Sequence, residues 1–508
     1  MQYQVIRNAK KNIVWGFVNK VIVLLCPFIS STVIRYCLGV DYLGLDGLFT
    51  SVISVLSLAE LGLSSAVVSH LYKPVAEGNV TLVNSILNFY RKAYRFIGVI
   101  MLAVGLCLIP VLPHLIRDSY PDEITLWKVY LVFLFNAVVS YFMYAYMTAL
   151  IVVYQREDIK STINSAVTIL MTAAKLFLVL VTRNYYLYIL MMPVFTIVSN
   201  LWTAVFVKKV YPQYSCAGEL PAELVGSLKK LVTGTFIQRA CALTRNSLDS
   251  ICVSFYLGLA MTARYNNYFL VSAGVISFVQ IVSNAFTGGV GNHVATKSPD
   301  ENFREFQKLD FIYLWLGGWC TVCLFCLYQP FMKLWMGEDM LLDGVSVGLF
   351  CLYFFLLMLG DIRTLYSSAK GLWWEQKWRS LTETVLNCTL NILLGYLMGI
   401  RGIILATIIS LFLCNCLWST EIVFKQYLGI EKIFIHFRHQ AFYFLVTLGA
   451  VALTYIICMQ IKTDSAIAQL MFRAVICCLV PNLFYLLVYS RLDIFRDSLR
   501  LIKDRTKG

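Results

Sequence analysis

Several charged side chains lie inside long apolar stretches of this chain, where a membrane-spanning helix would bury them. Lys20 lies in the first apolar segment and Arg239 in the seventh, at matching positions. A charge at bilayer depth is unfavourable unless it faces a polar cavity or a partner of opposite charge. Lysine and especially arginine bind phosphate and diphosphate groups well. The two residues therefore indicate an anion-binding site inside a membrane protein.

Other polar residues share helical faces with these cations. At 100° per residue the polar groups of the seventh segment fall within about a third of the helix circumference, and Arg245 and Asp249 are spaced i, i+4 so that they can pair. We predict substrate-binding cations at Lys20, Arg239, Arg245 and Lys175. We predict ion coupling or a polar stripe at Asp46, Glu60, Asp249, Asn19, Gln238 and Asn246. Lys175 has an alternative role, since a lysine can also extend its ammonium to the membrane surface.

The composition requires a membrane protein. Of 508 residues 59% are hydrophobic and 14% charged, and the mean hydropathy is +0.72. We predict an all-α polytopic fold with about fourteen spans of the length a bilayer needs. The predicted spans are 13–34, 43–71, 94–115, 126–154, 162–182, 185–207, 231–257, 265–292, 311–332, 341–367, 380–399, 402–424, 440–460 and 466–490.

Basic residues predict the orientation. With the N-terminus in the cytoplasm, most of the 42 lysines and arginines fall on the inner side. Both termini are then cytoplasmic, and the location is the inner (cytoplasmic) membrane. The formal charge of +14 reflects topology and contact with anionic membrane lipids, not nucleic acid.

The two halves of the chain match at a nearly constant offset. Lys10-Lys11 corresponds to Lys229-Lys230, and Leu38-Gly39 corresponds to Leu257-Gly258. Both halves begin inside and hold six spans, so the repeats are parallel. The predicted organisation is an N-terminal six-helix lobe over 1–210, a cytoplasmic linker over 211–228, a second lobe over 229–430 and two additional helices with a basic tail over 431–508.

Several other activities are disfavoured. Nearly all of the 16 cysteines lie in apolar segments, where they are best explained as packing residues, and no metal or other cofactor is predicted. There is no phosphate-binding loop for ATP hydrolysis. The predicted outside loops are about ten residues or fewer, short by ordinary loop standards, and offer no paired carboxylates for acid–base chemistry. We therefore do not expect an enzyme.

Two stretches resemble a known family. They are Tyr42-Leu43-Gly44-Leu45 through Leu58-Ala59-Glu60-Leu61-Gly62-Leu63-Ser64-Ser65-Ala66, and then Leu71-Tyr72-Lys73-Pro74-Val75-Ala76-Glu77-Gly78-Asn79. They are similar to the second span and following loop of Wzx-type polysaccharide repeat-unit flippases, which belong to the multidrug/oligosaccharidyl-lipid/polysaccharide exporter superfamily. The likeness in span count and short loops extends to nearly the whole chain.

The resemblance implies a two-lobed, V-shaped transporter with a central cavity. It would move an undecaprenyl-diphosphate-linked oligosaccharide to the outer leaflet by alternating access, for surface polysaccharide synthesis. Expected partners are that lipid-linked diphosphate, H⁺ or Na⁺ as coupling ion, a polysaccharide polymerase and glycosyltransferases.

Three alternatives stay open at this point. A multidrug or cation antiporter of the same superfamily would share the fold, but its cationic substrates call for carboxylates and aromatic residues. A major-facilitator transporter would carry a Gly-x-x-x-Asp-Arg type loop where this chain has Lys73-Pro74-Val75-Ala76-Glu77-Gly78. A membrane glycosyltransferase or polymerase is disfavoured by the short outside loops.

The topology can be tested with reporter fusions. Fusions after residues 120 and 337 should report the outside, and fusions after residues 220, 300 and 500 the cytoplasm, because basic residues are retained inside. An outside signal at residue 220 would place an odd number of spans before the linker and contradict the repeat.

Overall fold

The computed structural model describes the backbone of residues 2–57, 63–117, 120–461, 463 and 465–507. Side chains are described for the same ranges except residues 2–10, 13, 65, 222, 223, 227–240, 242–244, 246 and 501–507. Over these ranges the chain is helical and has no strand. The fold is that of an all-α polytopic membrane protein, as the sequence predicts.

The chain packs as two compact units, residues 1–263 and 264–508. The helices of the first part are α1 (Gln2–Cys37), α2 (Val40–Leu56), α3 (Leu63–Ala76), α4 (Val80–Cys107), α5 (Leu126–Phe142), α6 (Thr148–Val153), α7 (Glu157–Thr182), α8 (Tyr185–Val210) and α9 (Ala222–Thr296). Those that follow are α10 (Pro299–Met336), α11 (Gly344–Lys370), α12 (Lys377–Met398), α13 (Ile400–Ser410), α14 (Ser419–Val423), α15 (Ile433–Met459), α16 (Ala466–Tyr489) and α17 (Asp493–Lys507). Two π-helical segments, Leu411–Trp418 and Phe424–Leu428, flank α14.

In the described residues, ten helices are long and apolar enough to cross a membrane, or up to twelve if each of two bent helix pairs is one span. The predicted spans 231–257 and 265–292 both lie in α9, which bends at Gly258. The predicted span 43–71 is divided between α2 and α3, and residues 58–62 between them lie outside the described part. The number is smaller than fourteen because two predicted spans lie in one helix, one span is divided, and two spans, 94–115 and 126–154, are bent pairs.

Two matched glycines have the same unusual backbone. Gly39 has φ 122° and ψ 176°, and Gly258 has φ 80° and ψ 179°. Side chains with a Cβ rarely adopt such angles, so each glycine permits a sharp break between the first two predicted spans of its half. The correspondence of Leu38-Gly39 with Leu257-Gly258 supports the duplication. The predicted domain boundaries themselves stay a prediction.

Packing differs between the units. In the first, α7 packs against α1 and α8, and α5 packs against α4 and α8. In the second, α10 is the central helix and contacts α11, α15, α16 and α17. Large apolar side chains stay exposed on the outer faces, for example Tyr396 at 78% and Leu487 at 75%. Lipid would cover such residues in a membrane.

The close helix packing at Gly402 of α13 can be tested by substitution. A Cβ on this residue would lie 1.9 Å from the backbone carbonyl oxygen of Leu394 in α12. Gly402→Ala should therefore lower the melting temperature of the purified protein, since overpacking destabilises by about 1–3 kcal/mol. Gly288→Ala is the matched control, because a Cβ there meets no atom within 4 Å. Equal melting temperatures for the two variants would contradict the close contact.

Candidate functional site

In the first unit, the half-buried Asp46 of α2 and the buried Lys175 of α7 are neighbouring charged residues. Lys175 is only 7% exposed, and its Nζ lies 4.5 Å from the centroid of the Tyr188 ring. The two charges interact electrostatically. Among the described residues, Oδ1 of Asp46 is buried without a hydrogen-bond partner. Lys175 is thus inside the unit, held by a carboxylate and an aromatic ring, and does not extend to the membrane surface.

Tyrosines surround this pair. Tyr185 and Tyr188 of α8 are buried and stack with ring centroids 6.1 Å apart, and Tyr42 of α2 meets Tyr185 edge-on at 5.1 Å. Ser30 of α1 hydrogen-bonds Tyr188. The rings limit access of water, so the attraction between the two charges is stronger than it would be at a surface.

Asn19 connects α1 to α7. Its Oδ1 accepts hydrogen bonds from Asn164 Nδ2 at 2.8 Å and Ser165 Oγ at 3.1 Å. This geometry gives Asn19 a role in holding two helices together. Lys20 is the next residue along α1 and is partly buried.

The other predicted site residues are described in part. Arg245 is half-buried and Asp249 is 2% exposed, one helical turn apart on α9. Three residues, Gln238, Arg239 and Asn246, lie in α9 but have side chains outside the described part, and Glu60 lies outside it entirely. The grouping of all these residues around one site therefore stays a prediction.

The second unit contains a charged cluster that our sequence analysis missed. Arg363 of α11 is 1% exposed and donates to Thr420 Oγ1 at 2.7 Å and to Asn415 Oδ1. It interacts electrostatically with Asp310 of α10 and Asp361 of α11. His436 of α15 lies beside Asp310. The signal was available, because Asp361 and Arg363 interrupt the predicted span 341–367 just as Lys20 interrupts the first.

Polar residues of α12 bond to one another and to α13. Glu383 accepts a hydrogen bond from Arg379 at 2.5 Å, and Asn387 Nδ2 donates to Thr407 Oγ1 of α13 at 2.9 Å. Asn391 Nδ2 donates to Asn387 Oδ1 at 3.3 Å. The bond from Asn387 to Thr407 is an interhelical hydrogen bond of the kind expected in membrane proteins, whereas the other two contacts lie within α12.

Three buried cysteines from different helices meet in the second unit. The sulfur atoms of Cys326, Cys458 and Cys477 lie within 4.8 Å of one another, on α10, α15 and α16. This is the one group of three potential metal ligands in the described residues. Three thiolates would bring negative charge into apolar packing, which is unfavourable, so neutral thiols packing together suit the surroundings better.

A cavity of about 280 Å³ in the first unit is lined by Arg91, Lys208 and several tyrosines. Arg91 donates to the backbone oxygen of Cys216 at 3.2 Å, and Lys208 lies 5.1 Å from the Tyr144 ring centroid. Burial raises the pKa of the Cys216 thiol, against the opposing effects of a Tyr146 hydrogen bond and the Arg91 charge. Cys216 is therefore a neutral thiol at neutral pH and a poor nucleophile.

The chain was compared with known proteins. No family model and no curated protein matches it. Solved structures do share its fold. The lipid II flippase MurJ in an inward closed conformation matches with a TM-score of 0.68 and 16% identity, over 95% of this chain and 99% of that one.

Two multidrug transporters also match. An inward-facing MATE family transporter of the MOP superfamily has a TM-score of 0.60 at 13% identity, over 81% of this chain and 98% of its own. A mutant MATE transporter of Vibrio cholerae has a TM-score of 0.57 at 12% identity, over 83% of this chain and 97% of its own. At these identities the likeness establishes the fold alone.

The pair of Asp46 and Lys175 in the first unit generates a stability prediction. Lys175→Met should lower protein abundance and melting temperature, because losing one partner of a buried charge pair costs about 3 kcal/mol or more. The double variant Asp46→Asn, Lys175→Met removes both charges and should recover most of the stability. A double variant as unstable as the single one would show that the charges of Asp46 and Lys175 do not neutralise each other.

Proposed function

We propose that this chain is a membrane transporter that flips an undecaprenyl-diphosphate-linked oligosaccharide from the inner to the outer leaflet for surface polysaccharide synthesis. The observation that carries this proposal is the fold likeness to a lipid II flippase over nearly the full length of both chains. Flipping is the activity named for this neighbour. The Wzx-like motifs around Glu60 and Lys73-Pro74 point to an oligosaccharide-carrying lipid.

The multidrug alternative has less support. The two MATE structures match almost all of their own chains but leave nearly a fifth of this one unmatched. A lipophilic cation needs an uncompensated carboxylate, whereas Asp46 lies beside the Lys175 ammonium. Net attraction for a cation at this pair is therefore weak.

The chemistry of the substrate suits the predicted cations. A lipid diphosphate carries negative charge that Lys20, Arg239, Arg245 and Lys175 would bind, as guanidinium and ammonium groups bind phosphate elsewhere. The carboxylates Asp46, Glu60 and Asp249, with Asn19, Gln238 and Asn246, would serve H⁺ or Na⁺ coupling or line the polar path. Transport would follow an alternating-access cycle.

The proposed setting follows from the same function. The chain would lie in the inner membrane with both termini in the cytoplasm, receive its lipid from glycosyltransferases and deliver it to a polysaccharide polymerase. It would move its substrate without covalent chemistry.

The role of the cations is tested by substitution. Lys20→Arg should retain much of the transport because it keeps the charge, whereas the double variant Lys20→Ala, Arg239→Ala should lose most of it, at least ten-fold. Transport is measured as surface glycan in cells lacking their own repeat-unit flippase, and as outward-facing lipid-linked oligosaccharide in vesicles.

The matched control is Lys160→Ala, which removes an exposed lysine of α7. It should transport normally at equal abundance. Normal translocation by a stably expressed Lys20→Ala, Arg239→Ala variant would refute binding of the anion by these residues. Binding of tetraphenylphosphonium in place of the lipid diphosphate would favour the multidrug alternative.

A further inference from the structure

The cluster around Arg363 has an unequal number of positive and negative groups. One guanidinium faces two carboxylates, Asp310 and Asp361, and the imidazole of His436. Arg363 is 1% exposed, His436 2% and Asp310 3%, and Asp361 is half-buried. If both carboxylates were ionised and the imidazole neutral, one negative charge would be uncompensated in this buried cluster. Uncompensated buried charge is strongly unfavourable, so the cluster is neutral only with one added proton.

Two atoms of the cluster are available to that proton. Oδ1 of Asp310 and Nε2 of His436 are buried and have no hydrogen-bond partner among the described residues. The other imidazole nitrogen, Nδ1, lies 3.9 Å from Oδ2 of Asp310, slightly beyond hydrogen-bond distance. A proton on Oδ2 of Asp310, or an N–H at Nδ1 of His436, would convert this contact into a hydrogen bond after a small movement. The positive charge of Arg363 disfavours a charged His436, so a carboxylate is the preferred site.

The remaining groups of the cluster hold Arg363 in place. Its guanidinium donates to Asn415 and Thr420, on a π-helical segment and on α14. Tyr313 donates to a carboxylate oxygen of Asp361. π-Helical turns often occur at functional sites. The cluster thus joins α10, α11, α15 and the π-helical stretch through contacts that depend on charge.

Other titratable groups from the surrounding elements do not supply the missing charge. Arg379 of α12 is paired with Glu383, and Glu305 of α10 is paired with Lys308 at 3.8 Å. His439 of α15 lies 3.4 Å from Gln307. The other titratable neighbours are neutral in their ordinary form, namely Tyr313, Tyr366, Cys416, Tyr443 and Tyr489.

We propose that Asp310 or Asp361 carries one exchangeable proton beside Arg363 and His436, and that its binding and release drive the conformational cycle of the transporter. The second half rests on the proposed function, whereas proton binding does not. The site lies in the second unit and is separate from Asp46 and Asp249, which belong to the first. Loss of the proton would leave a negative charge beside Arg363 and alter the contacts between α10 and α15.

Infrared spectroscopy can detect the proton directly. The full chain in lipid nanodiscs is titrated with pH, and the C=O stretch of a protonated carboxylic acid is followed together with its shift in D₂O. Wild type minus Asp310→Asn and wild type minus Asp361→Asn should each show this band at neutral pH. His436→Gln should move its midpoint, because the imidazole Nδ1 lies 3.9 Å from Oδ2 of Asp310.

The matched control is Asp158→Asn. Asp158 is a buried carboxylate of α7 that receives hydrogen bonds from Arg156 at 3.0 and 3.2 Å, so one cation balances one anion. Its difference spectrum should contain no protonated-acid band. Absence of the band from both Asp310→Asn and Asp361→Asn differences would overturn the proton site. If Asp310→Asn does not fold, Asp361→Asn and His436→Gln decide, and an unchanged band in both refutes the site.

The coupling role is tested in proteoliposomes that contain lipid-linked oligosaccharide and an imposed pH gradient. Asp310→Asn should lose gradient-driven accumulation at least ten-fold, and Asp158→Asn should retain it. Normal coupling in Asp310→Asn would overturn the driving role. A wild-type protein that shows the infrared band but never flips the lipid would instead refute the proposed function and leave the proton site in place.

Discussion

Neutralisation of buried charge is the constraint on which both units of this molecule depend. Apolar helices leave no water to solvate an ion, so each buried ion must find its counter-ion within the protein. In the first unit the Lys175 ammonium lies between Asp46 and the Tyr188 ring. In the second, Arg363 faces Asp310 and Asp361. Helices that carry these groups must keep their relative positions, since separating them would leave an unpaired charge in a medium of low dielectric constant.

Charge is balanced differently at Asp46 and Lys175 than in the cluster around Arg363. At Asp46 and Lys175 the charges are equal in number, and the surrounding tyrosines make a dry, rigid enclosure. Around Arg363 the acids outnumber the base, and atoms of Asp310 and His436 stay without partners in the described part of the molecule. An equal pair is neutral without any added proton. An unequal cluster suits a step in which charge changes.

The helices and the repeat could be predicted from the sequence, because apolar runs and the glycines Gly39 and Gly258 determine the backbone structure near themselves in the chain. Pairing between distant helices could not. Nothing in the sequence near Asp310 shows that His436 will lie beside it, because the helical period gives the depth and face of a residue but not its neighbour. Asn19 shows the same limit. Its place on a polar stripe was predictable, but its bonds to Asn164 and Ser165 needed the packing of α1 on α7.

Helix α15 has a consequence for how such chains can evolve. His436 is 2% exposed beside Asp310, and Gln440 donates to the backbone oxygen of Leu359 at 3.1 Å. A descendant that lost this helix would uncover the Asp310 carboxylate and lose its neighbour His436. Gain or loss of α15 must therefore accompany a change at Asp310, and the two features should be inherited together.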